Sequence, residues 1–259
     1  MTRMVTLSSA VLSHPGLRRE GNEDAYCTRP DLGLYMVADG MGGHAAGEVA
    51  ARLAVDVVET FLRDTRDADA NTTWPFPYDV GLSLDGNRLK AAFRLANRRL
   101  GAAIEADDAL RGMATTAAAV LARRGNPVVA HVGDSRVYLW RSGKLSQLTE
   151  DHSWVGEQIR AGVLTESDAR RHPWRNVVTR AISGGDDPDS EVSEIEVQTG
   201  DRLLLCSDGL SGVVPPDKLA GILEAGEPLE ATCQALIDAA NAAGGPDNIT
   251  VAMLQVDVA

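Results

Sequence analysis

Three apolar runs in the chain each end in an aspartate. The runs cover residues 34–38, 128–133 and 203–207, and the acids that follow them are Asp39, Asp134 and Asp208. Because a buried strand carries its last side chain to the rim of its sheet, we expect these carboxylates to converge at one edge. Packed carboxylates repel one another unless they are protonated or hold a cation, and a set of hard oxygen ligands suits Mg²⁺ or Mn²⁺. The feature therefore predicts a metal site.

The composition fits a globular protein with little affinity for polyanions. The chain has 259 residues, 44% of them hydrophobic, which is enough for the core of one large domain or two small ones. Its formal net charge of −12 argues against nucleic acid or an anionic membrane as a partner, because phosphate contacts need clustered Lys and Arg. We attribute part of this charge to metal ligands.

The cysteines and the first residues bear on the cellular compartment. Cys27, Cys206 and Cys233 are widely spaced, odd in number and form no C-x-x-C pattern, so neither a disulfide framework nor a zinc site is expected. Residues 1–15 lack a basic segment followed by a long apolar stretch, and no apolar run approaches a membrane span of about 18 residues. These features predict a soluble, unexported protein of the reducing cytoplasm.

Strands and helices occur in blocks along the chain. Apolar runs and alternation predict strands at 5–12, 34–38, 115–121, 128–132, 137–140, 145–148, 191–197, 202–206 and 249–256. Apolar residues at helical spacing predict helices at 48–61, 89–104 and 229–243. Because this order is not a strict alternation, antiparallel sheets flanked by helices explain it better than a parallel doubly wound sheet. The predicted fold class is an α/β layered (α+β) sandwich.

Two segments interrupt the pattern. Residues 64–87 are polar and contain two prolines in the aromatic stretch 74–78, which favours an ordered loop or insertion, either a docking loop or a packed lid. Residues 154–187 contain short helical pieces, a capping box at Thr165 and Asp168, and several Arg and His. We interpret this second segment as a subdomain laid over one end of a sheet.

Further charged and glycine-rich turns accompany the strand ends. Arg19 stands shortly before Glu23 and Asp24, and a guanidinium matches phosphate oxygens while neighbouring acids hold metals. Asp39 opens the sequence DGMGG, whose glycines let backbone approach a ligand but do not form the dinucleotide pattern G-x-G-x-x-G. Asp247 lies just before the last predicted strand. Alone, the segment from Arg19 to Asp24 is more typical of a solvated charged turn, and an Asp-Gly turn is common, but together these turns predict a single site.

These motifs identify a family. In chain order they are R-x-x-N-E-D, D-G-M-G-G, M-x-T-T, G-D-S-R, D-H-S, S-D-G and D-N-I-T, from about Ser13 to the C-terminus. The chain resembles the bacterial metal-dependent protein phosphatases of the type 2C family (PPM). The resemblance implies an α-β-β-α sandwich of two mainly antiparallel, five- or six-stranded sheets flanked by helix pairs. It also implies one phosphatase domain over residues 5–257, with a flap subdomain at about 151–187.

The resemblance assigns ligands to two core ions of Mn²⁺ or Mg²⁺. It implies that Asp39 bridges the two ions and is part of the catalytic set. Glu23 and the Gly40 carbonyl would hold one ion. Asp208 and Asp247 would hold the other.

The same resemblance implies a third, weaker ion. Asp134, in the G-D-S-R motif, corresponds to its ligand in bacterial members. Gly212 stands where relatives often have another acid for this ion. Because a ligand set that loses a charge binds more weakly, we expect low affinity at the third site.

Other residues would act around the ions. Arg19 corresponds to the phosphate clamp, so it is both a substrate-binding and a catalytic residue. Asp24 and Asn248 would lie behind the ligands, and Asp24 would orient metal-bound water. The pair Thr115–Thr116 is expected to support sheet packing rather than to react.

The histidines depart from the eukaryotic pattern. Eukaryotic relatives have a histidine, proposed to protonate the leaving group, at the position of Met41. In this chain a metal-bound water would donate that proton instead. His44 is a possible donor, but a surface or hydrogen-bonding role is favoured. We expect structural roles for His14, His131 and His172.

The flap carries a basic cluster, formed by Arg160, Arg170, Arg171, Arg175 and Arg180. One interpretation is that these side chains meet the residues that flank a phosphorylated side chain. A solvated helix face explains scattered arginines equally well.

The function implied is a metal-dependent protein serine/threonine phosphatase. A water or hydroxide bridging two metals would attack phosphoserine or phosphothreonine directly, opposing a bacterial serine/threonine kinase, with the enzyme acting as a monomer on phosphoproteins. One alternative is a phosphatase of anti-sigma-factor antagonists, which usually carries sensor domains. Another is a non-catalytic phosphoprotein-binding relative, which would be expected to lose metal acids. A two-metal nuclease is disfavoured by the acidic charge.

Overall fold

The computed structural model describes residues 5–42, 46–69, 72–123 and 125–258. The strands are β1 (Thr6–His14), β2 (Asp24–Arg29), β3 (Leu34–Met41), β4 (Ala114–Thr115), β5 (Ala117–Leu121), β6 (Val128–Val132), β7 (Arg136–Arg141), β8 (Lys144–Gln147), β9 (Glu191–Glu194), β10 (Arg202–Cys206) and β11 (Ile249–Val258). The helices are α1 (Ala46–Asp64), α2 (Leu84–Ala106), α3 (Trp154–Arg160), α4 (Glu166–Ala169), α5 (Asp208–Ser211), α6 (Pro216–Glu224) and α7 (Leu229–Ala242). In the described ranges no helix is long and apolar enough to span a membrane.

Strand pairing forms two sheets. One sheet has the order β1-β11-β10-β7-β8, and the other has the order β2-β3-β5-β6-β9 with β4 beside β3. All of these pairings are antiparallel. The predicted sandwich of two mainly antiparallel sheets with helices is confirmed.

Three apolar layers hold the sandwich together, and they explain the unbroken apolar runs. On β3, Val37 faces the other sheet, whereas Met36 and Ala38 face the helices α1 and α2. A third cluster joins the other sheet to α6 and α7. Because both faces of β3 and β10 are covered, alternate residues are buried on opposite sides and no polar position interrupts the run.

Several elements differ from the sequence prediction. β2 was not predicted, because its residues include the exposed Tyr26 and charged ends. α5 and α6 were also not predicted, since α5 is a single turn and α6 begins at Pro216. The strand predicted at 115–121 is interrupted at Thr116, and α2 begins five residues earlier than predicted, at Leu84, where the Ser83 hydroxyl caps it by accepting from the Gly86 N–H.

The aromatic stretch at 74–78 packs on the helices. The Trp74 ring lies 6.5 Å from that of Phe61 on α1 and 6.0 Å from that of Tyr78. The Arg98 guanidinium of α2 sits 4.2 Å from the centre of the Phe76 ring, within the range of a cation–π contact. These contacts favour the packed form of the loop over an open docking loop.

Candidate metal centre

Five aspartates from both sheets gather at one end of the sandwich. Asp24 pairs directly with Asp39 across β2 and β3. Asp134 follows β6, Asp208 follows β10, and Asp247 stands two residues before β11. The charges of the other four all act on the carboxyl group of Asp39. The predicted convergence of acidic strand ends is what the structure contains.

Asp39 is held through its backbone by the two threonines of the M-x-T-T motif. The Thr115 hydroxyl donates to the Asp39 carbonyl at 2.9 Å, and the Thr116 N–H donates to the same oxygen at 2.9 Å. The Thr116 hydroxyl accepts from the Asp39 N–H at 3.1 Å. The backbone of Asp39 is therefore fixed without using its carboxylate. The threonines occupy the supporting position expected for them.

Glu23 lies against the first turn of α1, where glycines make room for it. A Cβ on Gly47 would collide with the Glu23 carboxylate, and a Cβ on Gly40 would collide with the Gly47 carbonyl. The Gly40 N–H donates to the Glu23 carbonyl at 3.2 Å. Only glycine at both positions lets the helix, the strand end and the carboxylate approach this closely.

The DGMGG motif is described only in part. Met41 is the last residue of β3 and pairs with Ala114 of β4. Gly43 and His44 lie outside the described residues. The proposed alternatives for His44 therefore stay predictions.

Asp24 is bonded from the opposite sheet. The Ser207 hydroxyl donates to Asp24 Oδ2 at 2.8 Å and accepts from the Thr250 N–H at 2.9 Å. Asp24 Oδ1 is buried and has no hydrogen-bond partner in the described part of the chain. Burial raises the pKa of Asp24 to about 7, although the nearby Thr250 and Ser207 hydroxyls oppose the shift. An unpartnered buried oxygen of this kind fits a water or ion in front of it.

Asn248 connects three segments behind the cluster. Its side-chain oxygen accepts from the Glu23 N–H at 2.8 Å, and its amide nitrogen donates to the carbonyls of Pro15 and Gly21 at 2.9 and 2.8 Å. This residue holds the loop that carries Arg19 and Glu23 next to β11. Its predicted place behind metal ligands stays a prediction.

Arg19, the predicted phosphate clamp, is paired with a predicted metal ligand. Its guanidinium lies 2.8 Å from Asp247 Oδ2, and about half of its side chain, 53%, is exposed. The hydrogen bond and charge of Asp247 raise the pKa of Arg19, with smaller contributions from Glu23 and Asp39. The guanidinium is therefore positioned at the acidic cluster and open to solvent.

Asp134 sits on a tight turn over β4 and β5. Gly133 has φ +98, and a Cβ there would collide with the Thr116 side chain. The hydroxyls of Ser135 and Thr116 lie 2.7 Å apart. Asp134 is only 8% exposed, and burial together with the charge of Asp208 raises its pKa to about 8.

The electrostatics of the cluster suit a cation. Burial, and then the neighbouring carboxylates, raise the pKa of Asp39 well above its ordinary value and that of Asp208 to about 6. Burial likewise raises the pKa of Glu23. Carboxylates packed this closely lose their repulsion when a divalent ion is bound, and all the donors are the hard oxygens that Mn²⁺ and Mg²⁺ accept. The residues present therefore fit the predicted metals.

A second group of potential ligands, formed by His131, His152 and Glu191, lies outside the cluster. The Gly133 N–H donates to His152 Nδ1, so the proton of this ring is on Nε2, which lies 3.0 Å from Glu191 Oε1. His131 Nε2 lies 2.8 Å from the Glu150 carbonyl and must also carry a proton. Neither Nε2 has a free lone pair, so the group is a hydrogen-bonded brace, in agreement with the structural role expected for His131.

The flap segment is anchored to the turn that carries Asp134. Arg136 makes a bidentate pair with Asp151, at 2.8 and 2.6 Å, and the His152 N–H donates to the Gly133 carbonyl at 2.9 Å. The capping box of Thr165 and Asp168 is confirmed. A cavity of about 430 Å³ opens between this segment and the acidic cluster.

Sequence reasoning missed two residues that connect the site to its surroundings. Ser207 joins Asp24 to β11, and Arg136 joins the Asp134 turn to the flap. Both stand inside motifs that were singled out, S-D-G and G-D-S-R. The available sequence signal was a polar side chain within two positions of each motif aspartate.

Comparison with known proteins agrees with this geometry. A family model described as protein phosphatase 2C matches residues 18–250. The serine/threonine phosphatase stp of Listeria monocytogenes is 35% identical over 249 residues, covering 94% of this chain and 93% of that protein. The serine/threonine protein phosphatase PstP of Mycobacterium tuberculosis is 36% identical over 97% of this chain, which spans 45% of PstP.

Solved structures of similar proteins have the same fold. A crystal structure of Mycobacterium tuberculosis PstP has a TM-score of 0.84 at 35% identity, covering 98% of this chain and 100% of that one. A structure of the PstP catalytic domain in complex with two manganese ions has a TM-score of 0.80 at 35% identity, covering 98% and 99%. The chain therefore belongs to the protein phosphatase 2C family of serine/threonine protein phosphatases.

Proposed function

We propose that this protein removes phosphate from phosphoserine and phosphothreonine side chains with two divalent cations, in opposition to a serine/threonine kinase. The observation that carries the proposal is the convergence of acids from both sheets beside an exposed arginine. The two manganese ions in the related PstP structure support the same stoichiometry. A non-catalytic relative would not be expected to keep all of these acids.

We base the proposed ligand set on the family resemblance. Asp39 would bridge both ions, with Glu23 and the Gly40 carbonyl on one and Asp208 and Asp247 on the other. Their closeness, the burial of the cluster and the raised pKa values support this assignment. In a separate, weaker site, Asp134 would hold a third ion.

In the proposed reaction the ions and the side chains have different roles. When bound, the ions would supply Lewis acidity and a water of low pKa, and so make phosphoryl transfer to water possible without a covalent intermediate. Arg19 would bind two phosphoryl oxygens and align the phosphorus for in-line attack, because its planar fork matches them. Asp24, fixed by Ser207, would accept a hydrogen bond from water at the centre and so orient it.

Cysteine chemistry does not compete with this scheme. Burial raises the pKa of both Cys27 and Cys206 to about 12, so neither is a thiolate near neutral pH. All three cysteines are buried and unpaired. This supports a reducing location, such as the cytoplasm. We also propose that the protein acts as a monomer on phosphoproteins. We further propose one domain over residues 5–257, with residues 151–187 as its flap.

The metal requirement is tested by chelation. We expect the protein to hydrolyse p-nitrophenyl phosphate and phosphothreonine peptides only with added Mn²⁺ or Mg²⁺, and EDTA to abolish both activities. Full activity after chelation and desalting would overturn the proposal.

The role of Arg19 in binding phosphate is tested separately. Arg19→Ala is expected to raise KM for a phosphopeptide strongly, because the guanidinium binds phosphate. Mn²⁺ affinity measured by calorimetry should not fall, because the pairing of Arg19 with Asp247 competes with an ion for that carboxylate. Arg19→Lys serves as the matched control and should restore only part of the loss, because it lacks the planar fork. Unchanged KM in Arg19→Ala would leave Arg19 as a surface charge.

A further inference from the structure

The cavity beside the acidic cluster extends under the flap and carries positive charge at that far end. Its lining includes Asp208 and Asp247 at one end, and Arg160, Arg170 and Arg175 of the flap at the other. The cavity of about 430 Å³ is large enough for a side chain or two of a bound peptide. A substrate held at the metal centre would therefore have its flanking residues next to these arginines.

Most charges at the flap end cancel in pairs. Arg136 is paired with Asp151 at 2.6 Å, and Arg160 lies 3.5 Å from Glu150. Arg170 and Arg175 remain, and among the residues that the structure describes no carboxylate oxygen comes within 4.0 Å of either guanidinium.

One acid partly offsets these two cations. Glu166 also lines the cavity, one helical turn before Arg170, but forms no ion pair in the described ranges. The flap end therefore keeps an excess of one positive charge in a protein whose formal net charge is −12. Unpaired guanidinium groups in a recess of an acidic protein are suited to bind an anion brought by a ligand.

Resting on the function proposed above, we propose that Arg170 and Arg175 form a subsite for an anionic group next to the phosphorylated residue of the substrate. The group is the carboxylate of an acidic side chain or a second phosphate, since both match the guanidinium fork. The enzyme thereby selects phosphoproteins whose phosphorylation site has acidic or doubly phosphorylated surroundings.

The test compares phosphothreonine peptides that differ at one flanking position. Aspartate, phosphoserine or glutamine is placed at each flanking position in turn, and kcat/KM is measured with saturating Mn²⁺. For the parent protein we expect higher kcat/KM with aspartate or phosphoserine than with glutamine at one or more positions. A gain with phosphoserine alone identifies a second phosphate as the ligand, and an equal gain with both identifies any anionic group.

Variants then assign the preference to the subsite. In the double variant Arg170→Gln/Arg175→Gln the ratio of kcat/KM between anionic and neutral peptides should fall by about fivefold, the upper end for a solvent-accessible ion pair. Glu166→Gln should raise the ratio, because it removes the opposing charge. Arg171→Gln is the matched control, since Arg171 is exposed on the same segment but does not line the cavity.

The outcomes separate this proposal from the function itself. Hydrolysis of p-nitrophenyl phosphate should be the same in all four proteins, because that substrate has no flanking residues. An equal ratio in the parent and the double variant, or an equal fall in Arg171→Gln, would overturn the subsite. Absence of hydrolysis of every peptide by the parent would overturn the proposed function instead.

Discussion

At the scale of single residues, Gly212 bears most directly on how the centre binds a third ion. It lines the cavity together with Asp134 and Asp208, and its N–H donates to the Asp208 carbonyl at 2.7 Å. Gly212→Asp adds a carboxylate to this cavity. We expect the Mn²⁺ concentration for half-maximal phosphopeptide hydrolysis to fall about tenfold, which corresponds to about 1.4 kcal/mol.

The control for this substitution separates charge from strain. A Cβ at position 212 would lie 2.8 Å from the Asp208 carbonyl oxygen, so any side chain there displaces the end of α5 slightly. Gly212→Asn introduces the same strain without the charge. Rates are measured across Mn²⁺ concentrations up to the millimolar range, alongside calorimetric titration. Identical Mn²⁺ dependence in the two variants and the parent would show that the third ion does not bind at this position.

The acids of the site were predictable one residue at a time, and their hydrogen bonds were not. An aspartate at the end of an apolar run is visible in the sequence, as at Asp39 and Asp208. The bond from Ser207 to Asp24 joins positions 183 residues apart, and nothing local to either residue predicts it. The metal roles of these acids, and the clamp role of Arg19, stay predictions that the proposed assays test.

At the scale of elements, the bounds were predicted best where an apolar pattern fills the whole element. β10 was predicted with its observed bounds, and α7 within one residue, because their apolar patterns run the length of the element. α5 consists of one turn and β2 has exposed positions, so neither has a pattern that distinguishes it from a loop. These two elements carry Asp208 and Asp24, so the least predictable structure lies at the site.

The attachment of the flap depends on one side chain of β7. Arg136 pairs with Asp151 through two bonds and also donates to the Tyr138 hydroxyl at 2.8 Å. Arg136→Ala leaves the largely buried Asp151 without its partner, and we expect the free energy of unfolding to fall by about 3 kcal/mol. We also expect lower kcat/KM for phosphopeptides and faster tryptic cleavage within residues 151–187.

β7 provides a matched control at its other end. Arg141 makes the same bidentate pair with Asp201, at 2.9 and 2.6 Å. Arg141→Ala should destabilise the protein to urea without changing phosphopeptide kinetics or cleavage of the flap. Equal kinetic effects in both variants would mean that Arg136 acts only through overall stability.

At the scale of the whole molecule, the order of strands and helices along the chain predicted sheets covered by helices. It did not predict which strands become neighbours. Runs such as residues 34–38 are buried on both faces, and this requires a sheet covered on both sides. Which strands become neighbours depends on contacts across the chain. β1 pairs with β11 from opposite ends of the sequence, and this pairing places Asp247 beside Arg19. The site therefore forms only when the complete sandwich forms.

This arrangement links metal binding to stability of the whole fold. Folding brings Asp39 next to Asp24, Asp208 and Asp134, and the repulsion among them opposes folding unless cations bind. Asp39→Asn removes one of these charges at nearly constant shape. Without metal, we expect the free energy of unfolding of the variant to exceed that of the parent by about 1 kcal/mol, which raises its Tm by roughly 2–4 °C.

With Mn²⁺ bound, the parent should have a higher Tm than Asp39→Asn. The ion binds the native state and not the unfolded chain, so it should raise the Tm of the parent, whereas Asp39→Asn should lose most of this gain together with its activity. Asp201→Asn is the control, because Asp201 is a buried aspartate paired with Arg141 away from the cluster. It should lower Tm and leave the gain from Mn²⁺ intact. The Tm of the three proteins is measured by scanning calorimetry with EDTA and with Mn²⁺. A rise in Tm with Mn²⁺ as large in Asp39→Asn as in the parent would contradict the role of Asp39 as the bridging ligand.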